Sequence, residues 1–117
     1  QTIKDIREFG KKLSSITPQN RDILFTCIEN RINDDGWNIN FLISDIRQRY
    51  TRNINDNIYS LMKHKFIELK EDSGNDYDVI AYNFVHSNIL LDLLQYCEAN
   101  NKNLKNILVN LDFSELE

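Results

Sequence analysis

Apolar residues recur at Ile3, Ile6, Phe9, Leu13 and Ile16, in steps of three and four that place them on one face of a helix. Lys4, Arg7, Glu8, Lys11 and Lys12 take the other face. Thr17-Pro18 then marks a new start. A threonine hydroxyl caps a helix, and proline suits the first helical position because no amide donor is needed there. The second helix is expected to run to about Arg31, with Ile23, Leu24, Cys27, Ile28 and Ile32 inward. Asn33-Asp34-Asp35-Gly36 reads as a turn and Trp37-Asn38-Ile39 as a short extended piece. Asn40 is placed to cap a third helix carrying Phe41, Leu42, Ile43, Ile46 and Tyr50. Thr51-Arg52-Asn53 breaks it. Asn53 then caps a fourth helix, with Asp56 in the first turn, where negative charge is favoured. Ile54, Ile58, Leu61 and Met62 form its inward face, and Asn55, Asn57, Tyr59, Ser60, Lys63 and His64 its outward one.

Past Lys65 the period changes. Phe66 to Lys70 predicts a strand, Asp72 to Asp76 a turn, and Tyr77 to Phe84 a second strand rich in β-branched and aromatic residues. Ser87 is expected to cap a fifth helix carrying Ile89, Leu90, Leu93, Leu94 and Cys97. Asn100-Asn101 interrupts it, and Leu104, Ile107, Leu108 and Leu111 make a last amphipathic stretch. The fold class is therefore mainly α with a small two-stranded antiparallel hairpin. No repeat or linker divides the chain, so residues 1–117 read as one domain: an N-terminal helix over 1–16, a core over 17–86 and a C-terminal helical segment over 87–117. The apolar faces at Ile3, Ile6 and Phe9 and at Leu104, Ile107 and Leu108 exceed what one small core is expected to hide, which predicts a homodimer interface there.

Charge changes the picture more than composition does. The net charge is −4, which argues against a nucleic-acid partner. Its distribution argues the other way. Between Ile46 and Lys65 lie Arg47, Arg49, Arg52, Lys63 and Lys65 against a single acid, Asp56. From Phe66 onward there are three bases and ten acids. Phosphates respond to local charge, so a basic segment in an acidic chain is a candidate footprint for DNA. The plainer reading is that these bases only solubilise exposed helix faces.

The order of parts is helix, capped helix, extended piece, helix, tight break, polar-faced helix, hairpin, helix. A lone hairpin is not stable in water, so it must pack on the helices. A three-residue break holds the third and fourth helices at a steep angle and projects the polar face of the fourth, which has the width of the major groove. With Gln19-Asn20-Arg21-Asp22-Ile23-Leu24 opening the second helix, and Ile54 to Ile67 running from a polar-faced helix into a strand, the chain resembles the winged helix-turn-helix regulators of the ArsR type, and more loosely the MarR type. Ile58, Leu61, Phe66 and Ile67 fall at that family's apolar spacing. The resemblance implies a homodimer, held by the first and last helices, on a pseudo-palindromic duplex. It departs at three places. The third helix has no cysteine and the C-terminal helix no histidine cluster, so neither a metal nor any other cofactor is expected. The wing tip, with Glu71, Asp72, Asp76 and Asp78, is acidic and should be repelled by phosphate. Lys65 stands where the family often has glycine.

The candidate DNA-binding residues are Arg47, Arg49, Thr51, Arg52, Asn53, Asn55, Asn57, Tyr59, Ser60 and Lys63. Asparagine pairs bidentately with adenine, and arginine with guanine or phosphate. Tyr50 is expected to close the core with its hydroxyl at the surface. His64 suits a helix C-terminus, and His86 lies in a turn without partners at metal spacing. Cys27 and Cys97, far apart within apolar helical patterns, read as two buried thiols rather than a disulfide. No phosphate loop, Cys-x-x-Cys pair or nucleophile-base pair is present, so no enzyme is expected. No apolar run approaches the roughly 20 residues of a membrane span, and no leader opens the chain, so a cytoplasmic protein without a membrane partner is expected. The function expected is sequence-specific binding of double-stranded DNA, in transcriptional regulation or in DNA partition of plasmid or phage type. The alternative is a protein-protein module using the acidic C-terminal half.

Overall fold

Thr17 does what its position predicts. Its Oγ1 accepts from the Asn20 amide at 3.2 Å, and Pro18 follows as the first helical residue. In the computed structural model, which describes residues 3–33, 38–71 and 80–116, this cap separates α1 (Ile3–Leu13) from α2 (Pro18–Glu29). Ile6, Phe9 and Leu13 of α1 and Ile23, Leu24, Cys27 and Ile28 of α2 are buried in one shared core. α2 ends two residues earlier than its apolar pattern suggests. The Asn30 amide reaches back to the carbonyls of Thr26 and Cys27, and its side chain donates to Thr26 O at 2.8 Å. Ile32, expected to point inward on that helix, is exposed on a short strand instead, β1 (Ile32–Asn33).

The second correction concerns residues 39–42. Asn40 does not cap a helix, and Phe41 and Leu42 are not helical: Ile39–Leu42 is a strand, β2. It lies inside an antiparallel sheet of order β1-β2-β4-β3, built with β3 (Ile67–Leu69) and β4 (Ala81–Phe84). Ile39, Asn40 and Phe41 are all buried. A strand covered on both faces loses the alternation by which strands are read, so its run of Ile-Asn-Phe-Leu-Ile mimics a helix start. α3 (Ile43–Arg47) therefore begins late, without a side-chain cap. The expected hairpin is present, with Ile67 opposite Phe84 and Leu69 opposite Tyr82. Most of its tip, with Asp72, Asp76 and Asp78, lies outside the described residues, as does Trp37. Phe41 stacks on Tyr82 at 5.7 Å between ring centroids and meets Phe84 at 5.2 Å, which fixes β2 against the hairpin.

α4 (Asn55–Lys63) follows a turn from α3, and α5 (Ser87–Asn100) follows β4. Ser87 is not the cap of α5. It is the first helical residue, and its hydroxyl donates to Phe84 O at 2.7 Å, which ties the helix to the end of β4. Asn101 ends α5 in the left-handed region at φ 53°. Asn103 caps α6 (Leu104–Leu108), and a closing 3₁₀ helix spans Phe113–Leu116. Leu111, expected on the last helix, lies beyond it at φ 55°.

These last pieces cover α1. Ile6, Phe9, Ile107 and Leu108 are buried within the chain, and Leu104 packs against the same core. The side chain of Ile3 is outside the described set. The premise of the expected dimer contact is therefore corrected for four of its six residues: Ile6, Phe9, Ile107 and Leu108 are buried within the chain itself. Arg21 locks the arrangement. It is 8% exposed, and its guanidinium donates to Ile16 O at 2.6 Å, Leu13 O at 3.3 Å and Val109 O at 3.0 Å. At Gly10 the Phe113 ring lies where a β-carbon would sit. Cys27 and Cys97 are both free thiols and buried, and burial pushes the Cys27 thiol far above its usual range. Among the described residues no helix is long and apolar enough to cross a membrane.

Candidate nucleic-acid interface

α4 is set by Ile54, Ile58 and Leu61, which are buried and fix its inward face. Asn53 supports its start one residue earlier than a standard cap: its Oδ1 accepts from the Asn55 amide at 2.8 Å. The opposite face carries Asp56, Tyr59 and Lys63, all exposed, with Tyr59 at 67%. Asn55 is exposed beside them. Two of the expected DNA contacts are instead turned toward α2. Asn57 donates to Oδ1 of the buried Asn20 at 2.6 Å, and Asn20 donates to Ser60 Oγ at 3.2 Å. Asn57 and Ser60 are half-buried and hold the angle between α2 and α4. A helical-wheel count alone could not see this, since both sit only one step off the outermost stripe.

The turn before α4 brings Arg47 and Arg52 to its N-terminal end. Arg47 Nη2 donates to Asn55 Oδ1 at 3.1 Å, and Arg52 Nη1 donates to Asn57 Oδ1 at 3.0 Å. Arg52 also lies over the Tyr50 ring at 5.8 Å from its centroid. Arg49 Nη2 donates to Asn30 Oδ1 at 3.0 Å. Each guanidinium thus rests on a neutral amide oxygen, which orients it without cancelling its charge, and keeps further N–H groups to give. Arg47, Arg49, Thr51, Arg52, Asn53, Asn55, Tyr59 and Lys63 are all exposed. An open concavity of about 380 Å³ is lined by Arg47, Arg52, Asn53, Ile54 and Asn55. Such a lip of oriented cations at a helix end can take phosphate oxygens.

Tyr50 behaves as expected. Its ring packs on the core, and its hydroxyl lies 2.9 Å from Thr26 Oγ1 and donates to Asp22 at 3.3 Å. Burial, more than the nearby Asp22 carboxylate, raises its pKa. His64 closes α4, its Nδ1 2.9 Å from Ser60 O.

The chain matches no family model, no curated protein and no solved structure. What the interface does must therefore be argued from its own groups.

Sequence reasoning missed one cluster entirely. Lys12 Nζ donates to His86 Nε2 at 2.6 Å and to Lys65 O at 2.9 Å, and lies 4.6 Å from the centroid of the Phe66 ring. Burial lowers the pKa of both groups, and the charge of Lys12 lowers that of His86 further. Lys65 itself takes φ 63°, the left-handed backbone for which glycine is best suited. The cluster pins α1 to the junction between α4 and β3. Its parts are 53 and 74 residues apart in sequence, so no local motif announces it. Among the described residues, no three His, Cys, Asp or Glu side chains converge as metal ligands would.

Proposed function

We infer that the chain binds double-stranded DNA as a winged helix-turn-helix, with α3 and α4 as the helix pair, α4 facing the major groove and the β3–β4 hairpin as the wing. The observation that carries this reading is the lip formed by Arg47 and Arg52 at the start of α4, with Arg49 exposed on the preceding turn. All three guanidiniums are exposed and oriented by neutral asparagine oxygens, and those of Arg47 and Arg52 rest on α4 itself, whose Tyr59 and Lys63 are exposed. A basic helix consumed inside the protein would have favoured a protein partner. The pseudo-palindromic site and homodimer implied by the resemblance lose four of the six residues first assigned to their contact, so the binding unit proposed is a single chain. Sedimentation of the protein–duplex complex counts the copies. Transcriptional regulation and DNA partition are the two roles such binding serves.

The test is a titration of mixed-sequence duplex at several salt concentrations. Affinity should fall linearly with the logarithm of salt, with a slope of about −0.9 for each phosphate neutralised. Arg52 is already braced by Asn57 and the Tyr50 ring, which suits a phosphate clamp rather than a base reader. Arg52→Ala should therefore weaken binding uniformly across sequences and reduce the slope by about one unit. If wild type binds no duplex at low salt, or if Arg52→Ala and Lys63→Ala both bind like wild type, the interface is not here. The acidic segment after Phe66 then becomes the surface to test against protein partners.

A further inference from the structure

Asp56 is the one carboxylate on the exposed face of α4. It shares the outermost stripe with Tyr59 and Lys63, three and seven residues on, opposite Ile54, Ile58 and Leu61. It is exposed, and its side chain makes no hydrogen bond to any described residue. Its position in the first helical turn stabilises α4 through the helix dipole, and that need alone would explain an acid there. On a surface that meets phosphate, however, an unpaired carboxylate has a second consequence.

Resting on the DNA-binding reading above, we propose that Asp56 is a specificity-determining residue that selects cytosine at one position of the bound site. An ionised carboxylate only accepts hydrogen bonds. In the major groove guanine offers two acceptors, and thymine an acceptor and a methyl group, so neither can satisfy it. Adenine sets its N6 donor beside the N7 acceptor, which repels a carboxylate. Cytosine offers the N4 amino group as a lone donor, which suits one. The N-terminal part of a recognition helix is where base edges are reached. The Arg47 and Arg52 lip beside it draws the backbone in, so the carboxylate is pressed against whatever base lies below. Pressed against the wrong base it loses water and gains no donor, and that penalty does most of the selecting. Asp56 also repels phosphate, so it weakens non-specific binding while sharpening the choice of site.

Wild type, Asp56→Ala and Asp56→Asn are each used to select duplexes from a randomised pool, and each is titrated on mixed-sequence duplex. The wild-type pool should show a cytosine preference at one position. Asp56→Ala should reduce that preference by roughly tenfold or more, leave neighbouring positions unchanged and bind mixed duplex more tightly. Asp56→Asn should move the preference toward adenine, which pairs bidentately with an amide. Three pools with the same base preferences, from a wild type that binds duplex, overturn the proposal and leave the DNA-binding reading standing. The proposal falls equally if Asp56→Ala lowers only thermal stability, because a helix-dipole role does not choose bases. A wild type that binds no duplex overturns both.

Discussion

Removing the Arg21 guanidinium should be costly in a way that can be traced to its three acceptors. Arg21→Met keeps the length and apolar stem of the side chain and deletes the donors to Ile16 O, Leu13 O and Val109 O. Leu13 O keeps a bond from the Ile16 amide at 3.2 Å, so it is not orphaned. Ile16 O loses a charged donor in a buried setting, and Val109 O one in a half-buried setting. Hydrogen bonds to charged groups contribute about 1.5–3 kcal/mol each, and orphaning a buried acceptor costs about 1–3 kcal/mol. Against this, methionine returns the desolvation cost of a guanidinium whose hydrogen bonds above all go to neutral carbonyls, which is several kcal/mol before those bonds offset it. The net loss expected is about 3 kcal/mol, a large part of the roughly 5–15 kcal/mol that holds a small domain together. Urea unfolding followed by far-UV circular dichroism measures it. The midpoint should fall with an unchanged slope, since the exposed surface on unfolding is the same. Amide exchange should locate the damage, with protection lost in α6 and the turn after α1 before it is lost in α4. A variant within about 0.5 kcal/mol of wild type, the range of ordinary surface changes, would refute the view that this buried arginine fastens the C-terminal segment to α2.

Two further outcomes follow from the other ends of α1. The folded pKa of His86 is lowered by burial and by Lys12, from an unfolded value of 6.5. Its contribution to stability is thus complete above pH 6.5 and is lost as pH falls through the lower folded value, because protonation sets two cations against each other. His86→Gln should flatten that part of the stability–pH curve measured by urea midpoints, and an identical curve would refute the coupling. Gly10→Ala should destabilise by about 1–3 kcal/mol through collision with the Phe113 ring, exceeding the helix-propensity gain of about 1 kcal/mol. Thermal melts of Gly10→Ala and of Gly10→Ala with Phe113→Leu check this, and the double variant should recover part of the loss.

The legible parts of the fold are those whose signals are local. Thr17-Pro18, the helical spacing in α1 and the change of period after Lys65 each act within a few residues, and each element stands where it was expected. Ile39 was read as extended, but the strand's continuation through Leu42 was not legible, because a strand buried on both faces, Asn40 included, shows no alternation. The fate of Ile6, Phe9, Ile107 and Leu108 was not legible either. Amphipathic pattern says that a face is buried but not what buries it, and here the cover is the chain's own distant end. At the candidate interface the exposed arginines were readable from charge. Asn57 was not, because its inward turn depends on Asn20, 37 residues away in sequence. Asp56 was visible only as a helix-starting acid until the stripe it shares with Tyr59 and Lys63 was placed in space.

The cover that the last third provides for α1 has a consequence for the order in which the molecule assembles. α2, the sheet and α4 close on one another through contacts that a growing chain completes once β4 has been made. α1 precedes all of these, and Phe66 and His86 cover part of it, yet the rest of its cover, from α5, α6 and the 3₁₀ helix, follows β4 in the chain. α1 must therefore wait with part of its apolar face open until those later residues arrive. Closing so long a loop is slow relative to local helix pairing. Until then that part of α1 is open to a wrong partner, and docking of Phe113 over Gly10 completes its cover.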